Sequence, residues 1–246
     1  MTKIELEPQQ AVELLSAASI GKLITGLVHN LNGPLHSLGI EMDVMGFLFS
    51  KNQDLDSEFA NNFSTRLKRM EEEFDKLNGL IRQTADRAEA FSSPPPALIN
   101  FNYLIKEELE FLNANLYFKH RVETTLDIDE NAKGVKPRSD YLCLSFRWLM
   151  QALVEDIERN KIEQLRIKTR GEPEHFVVSF ATQASPFSPE ILGSTGYEPA
   201  EGIIGASDIR SIEILLAISL LKSSGVLFSQ NAGNDHSEIS LALPYE

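Results

Sequence analysis

Three consecutive prolines, Pro94, Pro95 and Pro96, divide this 246-residue chain into halves of different character. Proline lacks the amide donor, fixes φ and restricts the residue before it, so no regular helix or central strand runs through such a block. The surrounding segment SSPPPALIN, 92–100, therefore reads as an extended linker. Before it the apolar spacing is helical throughout. After it, helical and alternating stretches take turns. The sequence predicts a helical domain over 1–91 and a mixed domain over 101–246.

In the first half Ile20, Ile24, Leu27, Leu31, Pro34, Leu38, Glu41, Met45 and Leu48 fall at alternating steps of four and three, with Glu41 the one charged interruption. With Ile24 at heptad position a and Leu27 at d, position e holds Val28, Leu35, Met42 and Phe49, which makes the broad stripe of a bundle helix. A second helix is expected from an N-cap at Asp54 or Ser57 to Phe91. Its buried stripe is marked by Phe63, Leu67, Met70, Phe74, Leu77, Ile81, Ala85 and Ala88. FLFSKNQDL, 47–55, supplies the turn of an antiparallel helical hairpin. One hairpin leaves apolar surface uncovered on both helices. A second copy covers it, so the expectation is a homodimer joined as a four-helix bundle.

Beyond the prolines, helices are expected over 101–115, 139–160 and 211–222, the last ending at Gly225. Strands are expected over 121–128, 164–169, 176–181, 226–230 and 238–243, with hairpin turns at Gly171-Glu172-Pro173 and NAGND. Residues 183–208 read as loop. This order predicts an antiparallel sheet with helices on one face, an α/β sandwich, and an α+β chain as a whole. A net charge of −13 excludes a nucleic-acid or anionic-membrane surface. A single cysteine, Cys143, excludes an internal disulfide and a multi-cysteine zinc site; its apolar neighbours mark it as core. The N-terminus has no apolar signal core, and the longest apolar run, near 212–221, is too short to cross a bilayer. The expected location is the cytoplasm, with neither nucleic acid nor membrane as partner.

Within the first helix lies LVHNLNGPLHSL, 27–38, where a proline costs about 3 kcal/mol relative to alanine in a helix interior. The heptad grid puts Lys22, His29, His36, Asp43 and Ser50 at f, opposite the seam, and Thr25, Asn32, Gly39 and Gly46 at b. Gly26 and Gly33 flank the histidine. His29 is thus expected to project into solvent from a rigid rod with little bulk around it. With a pKa near 6.5 its ring offers a nitrogen lone pair at neutral pH. Phosphoryl transfer depends on in-line access and positioning, which such a mounting supplies. A metal site is the rival, but His29 and His36 lie about 10 Å apart along the helix, too far to share an ion. Residues near His29 on its face, Lys22, Thr25, Gly26, Asn32, Gly33 and His36, are candidates for docking a partner. His120, His175 and His236 receive no role.

ASIGKLITGLVHNLNGPLHSL, 18–38, resembles the dimerisation and phosphoacceptor segment of bacterial sensor histidine kinases. In that family a histidine is followed five residues later by Pro-Leu, here His29, Pro34 and Leu35. The mixed domain is similar to the family's GHKL-type ATPase domain, so the resemblance covers nearly the whole chain after the first dozen residues. It implies that Pro34 kinks or softens the helix just beyond the acceptor.

The departures from the family are as informative. Sensor kinases place an acidic general base directly after the histidine; this chain has Asn30. Those with phosphatase activity carry Thr or Asn four residues after it; this chain has Gly33. The Asn-rich helix motif aligns with Ala152-Leu153-Val154-Glu155-Asp156-Ile157, where Ala152 replaces the first Asn and Asp156 retains a carboxylate for Mg²⁺. The Asp-x-Gly-x-Gly loop aligns with 182–186, TQASP, with Thr182 for the Asp. The Gly-rich phosphate loop aligns with Ser211-Ile212-Glu213-Ile214, where glycines would admit phosphates and Glu213 repels them. An acceptor kept and a nucleotide site lost resembles the dimeric histidine phosphotransferases of phosphorelays. That resemblance implies response-regulator receivers as partners, no cofactor bound by this chain, and Mg²⁺ supplied by the receiver. Two other readings stay open: a non-catalytic dimer that binds and regulates a partner, and an unorthodox ATP-dependent kinase.

Overall fold

The helical spacing of the first half is realised as two long helices. In this computed structural model the described residues are 4–6, 8–51, 57–90, 95–113, 115–196, 204–206 and 209–245. Within them the side chains of residues 4–6, 8, 9, 11, 22, 23, 25, 26, 29, 49–51, 57–60, 83, 86, 87, 90, 204–206 and 209–211 are not described. A short strand β1, Ile4–Leu6, precedes α1, Pro8–Lys51, and α2, Ser57–Ala90. The expected connecting turn and N-cap at Asp54 lie outside the described residues, as does Phe91.

On α1 the predicted seam residues Leu27, Leu31, Pro34, Leu38, Glu41, Met45 and Leu48 are half-buried, whereas Ile24 is exposed. On α2 the predicted stripe divides in two. Phe63, Met70 and Leu77 are half-buried or buried, but Leu67, Phe74, Ile81 and Ala85 are exposed. A stripe spanning both the a and d rows is wider than one neighbouring helix covers. Glu41 is not a defect in the seam: its Oε2 accepts a hydrogen bond from Arg66 Nη1 on α2 at 2.6 Å, and Arg69 lies 3.5 Å from Oε1.

The second half begins with α3, Phe101–Leu112, and α4, Leu116–Arg121. Two helices replace the single one expected because Asn115 starts afresh, its side chain accepting the Phe118 amide at 2.9 Å. There follow β2, Glu123–Asp127, α5, Leu142–Arg159, β3, Gln164–Gly171, and β4, His175–Gln183. Then come α6, Pro189–Thr195, β5, Ile204–Ala206, α7, Ile209–Ser223, β6, Leu227–Ala232, and β7, His236–Pro244. The five-stranded sheet runs β2-β3-β4-β7-β6. It is mixed and not fully antiparallel as expected, because β2 and β3 pair in parallel. The cause is α5 between them, a crossover that returns the chain to the end from which it started.

Both expected hairpins form, β3 with β4 and β6 with β7. The stretch expected as loop contains α6, begun by Ser188, whose Oγ accepts the Ile191 amide, and β5. α7 ends as its glycine predicts. Gly225 has φ +81°, its amide reaches the Lys222 carbonyl, and the Val226 amide reaches Leu221, the paired bonds of a Schellman cap.

Contacts separate two compact units, Ser16–Ser92 and the combination of Met1–Leu15 with Ser93–Glu246. The first fifteen residues thus group with the mixed domain, although the sequence reading assigns them to the helical one. Main-chain pairing accounts for this: β1 runs antiparallel to β5, with Ile4 opposite Ala206. Val12 and Leu15, on the first two turns of α1, are buried.

The core of the mixed unit follows strand alternation. Leu165 and Ile167 of β3, Phe176, Val178 and Phe180 of β4, and Ile239, Leu241 and Leu243 of β7 are buried on one face. α3 and α5 pack on that face through rings: Phe101 meets Phe146 edge-on at 5.2 Å and Phe176 at 5.7 Å. Across α3 and α5, Arg147 Nε donates to Glu108 Oε1 at 2.9 Å, and the Glu108 side chain is 1% exposed. Taking Arg147 to alanine removes the guanidinium charge from a buried carboxylate, so Arg147→Ala should lower unfolding free energy by about 3–5 kcal/mol in urea denaturation. Cys143, next to this pair, has its thiol pKa raised by burial, with the Arg147 charge opposing. The neutral thiol should alkylate slowly near pH 7 and reach the free-thiol rate only on unfolding, followed by iodoacetamide uptake against urea.

Candidate functional site

The segment expected to carry the acceptor lies inside α1, which continues from Pro8 to Lys51 with Pro34 in its interior. Pro34 has no amide to donate to the carbonyl of Asn30, the residue that follows His29. Of the predicted site residues, the side chains of His29, Lys22, Thr25 and Gly26 lie outside the described residues. The rest of their face is open. Asn32, Gly33 and His36 are exposed, and a methyl group built on Gly33, Gly39 or Gly46 would meet nothing within 4 Å. The small residues therefore leave clear space on this side of the rod. Leu35, at position e, is 53% exposed.

The positions aligned with nucleotide motifs divide between two places. Ala152 and Asp156 of α5, Glu213 of α7, and Glu190 of α6 meet around one cavity, with Glu155, Arg159, Ile191 and Ile214 completing its lining. Its volume is about 20 Å³. That is room for about one water molecule, where ligand pockets hold about 300–1,000 Å³. The charges around it are held by the protein itself. Asp156, 2% exposed, accepts from the Ser188 amide through Oδ2 and from Asn160 Nδ2 through Oδ1, both at 2.9 Å. Its carboxylate thus joins the end of α5 to the start of α6. Sequence reading left Asp156 a carboxylate open to Mg²⁺, while assigning this chain no cofactor, and missed both partners. Glu213 is 6% exposed, and Arg159 pairs with Glu190 at 3.4 Å. Among the described residues no group of three or more His, Cys, Asp or Glu is placed to hold a metal ion.

Thr182 stands apart, at the end of β4. Its hydroxyl lies 2.9 Å from that of Ser237, whose Oγ accepts the Phe187 amide at 2.7 Å. Two residues on, Ala184 has φ +64°. The sequence reading sets it at the first glycine of the Asp-x-Gly-x-Gly loop, and its backbone has the left-handed φ that glycine tolerates and alanine does not. For an L-residue this costs about 1–2 kcal/mol. The side chain of Ser211 lies outside the described residues. Relieving Ala184 should show: Ala184→Gly is expected to raise stability by about 0.5–1 kcal/mol in chemical denaturation, after the larger unfolded-state entropy of glycine is offset.

No family model matches the sequence, and no curated protein matches it. Among solved structures, the chain is similar to the Acinetobacter baumannii histidine kinase AdeS, at 11% identity over 89% of this chain and 98% of that one, with a TM-score of 0.45. It is similar to a bacterial phosphotransferase at 13% identity over 92% and 96% of the two chains, with a TM-score of 0.43. A third is the histidine kinase ThkA, solved in complex with the response regulator protein TrrA: 14% identity, 97% of this chain, 65% of that one, TM-score 0.45. The three structures named are two histidine kinases and a phosphotransferase.

Proposed function

We propose that this chain is a cytoplasmic histidine phosphotransferase of a two-component phosphorelay, acting as a homodimer. His29 attacks the acyl phosphate of a receiver aspartate through one ring nitrogen. The P–N bond forms as the P–O bond to the aspartate breaks, and the carboxylate leaves on the receiver. A second receiver reverses the exchange and takes the phosphoryl group. Neither step needs a base at Asn30 or a nucleotide, and Mg²⁺ belongs to the receiver.

The observation that carries this reading is the contrast between the two sites. The acceptor motif is intact on an open helix face, while the cavity at the aligned nucleotide positions is about 20 Å³ and its key carboxylate is engaged. A hairpin of α1 and α2 is supported by the Glu41–Arg66 pair, ten positions before Lys51 and nine after Ser57. Parallel helices joined at that point would set Lys51 and Ser57 about 28 Å apart, and the six residue steps between them span at most about 21 Å. Antiparallel helices bring the two ends together. A dimeric bundle is supported by two rows that repeat every seven residues, Val28, Leu35 and Met42 on α1 and Leu67, Phe74 and Ile81 on α2. All six are between 43% and 61% exposed in the single chain. No helix among the described residues is long and apolar enough to cross a membrane.

Incubation with receivers carrying radiolabelled acyl phosphate tests the proposal. Label should pass to the wild-type chain and to His36→Ala, and be abolished by His29→Ala; ATP alone should label none of them. Labelling of His29→Ala overturns the assignment. A receiver complex indifferent to His29→Ala, with no transfer, would make the chain a binding module.

A further inference from the structure

A seam between two helices is ordinarily apolar, and a polar residue within one fixes alignment at some cost in stability. Glu41 occupies such a place on α1, one turn from half-buried Leu38 and Met45, and its side chain is 14% exposed. Arg66 donates to one of its oxygens at 2.6 Å, and Arg69, one turn further along α2, lies 3.5 Å from the other.

The apolar residues around this pair cannot set the alignment by themselves. Leu31, Leu38 and Met45 repeat every seven residues, as do Phe63, Met70 and Leu77. Sliding one helix by a heptad, about 10.5 Å, leaves apolar side chains facing apolar side chains. Glu41 alone would be displaced. In one direction positions 73 and 76 replace 66 and 69, so Glu41 and half-buried Glu73 would share one cation, Lys76, which already pairs with Glu73. In the other direction its counterpart is Phe59. Like charges in a partly dry seam, or a lone carboxylate against a ring, penalise both slipped states.

We infer that Glu41 is the register-specifying residue of the α1–α2 pair, admitting one alignment and excluding its heptad neighbours. The alignment decides what stands beside the acceptor. His29 lies twelve positions before Glu41, so its level on α2 is twelve positions after Arg66, at Asn78, with exposed Gly79 and Arg82 beside it. A slipped hairpin would present a different α2 surface to a receiver. This inference rests on the hairpin reading above, but not on phosphotransfer.

Disulfide trapping in the full-length Cys143→Ser chain tests it. Met45→Cys with Phe63→Cys reports the observed alignment, and Met45→Cys with Met70→Cys reports a heptad slip. With Glu41 present, oxidation should close the first pair and leave the second at background. In Glu41→Leu the second pair should close to an extent comparable with the first. Arg66→Glu should likewise release the observed alignment, and Glu41→Arg combined with Arg66→Glu should restore it. Exclusive closure of the first pair in both single variants overturns the inference, since packing or the turn would then set the register. The charge swap decides the matter even where Glu41→Leu fails to fold. Because the readout is covalent and needs no receiver, loss of phosphotransfer and loss of register are distinguished.

Discussion

An apolar stripe wider than one neighbour can cover is the constraint on which the helical half of this protein depends. α1 offers positions a, d and e, and α2 offers two heptad rows. Pairing the helices hides roughly one row of each. What is left repeats every seven residues along both rods, a regularity that scattered surface leucines do not have. The face bearing the acceptor is built on the opposite principle. There the residues are small or polar, and glycines keep the surface low. One helix thus carries an apolar face with surface left uncovered and a second face of small and polar residues.

In the mixed domain the carboxylate and hydroxyls at the positions read as a nucleotide site serve as ties within the fold. Asp156 binds the Ser188 amide and the Asn160 side chain, which ties α5 to α6. Thr182 and Ser237 form a buried hydroxyl pair that also receives the Phe187 amide. These polar groups have partners inside the protein, as buried polar groups must. The sheet beneath is unaffected, because its cohesion comes from the ring cluster of Phe101, Phe146, Phe176 and Phe180.

Much of the architecture was legible in local chemistry. The glycine after α7, the turn at Gly171-Glu172-Pro173 and the alternation along β3, β4 and β7 each have a local cause, and each formed as read. The misses are non-local. Parallel pairing of β2 with β3 depends on where α5 sets the chain down. The grouping of residues 1–15 with the mixed domain depends on β5, some two hundred positions away in sequence. α6 was hidden because a seven-residue helix carries too few turns to show a period. At the candidate sites, residue types and spacing singled out one face of α1 and a set of positions in the mixed domain. They could not reveal that Glu41 had two arginines waiting on α2, or that Asp156 was already engaged.

Ala184 carries a different kind of information, because its backbone is set for glycine while its side chain is not. Alanine and glycine codons differ by one nucleotide, so the relaxed residue is a single mutational step away. Alanine at this place means that the domain holds the strain within its margin of stability, as a fold need only stay above the threshold its work requires. The turn is an unspent reserve: one methyl group fewer would relax it with no change of shape.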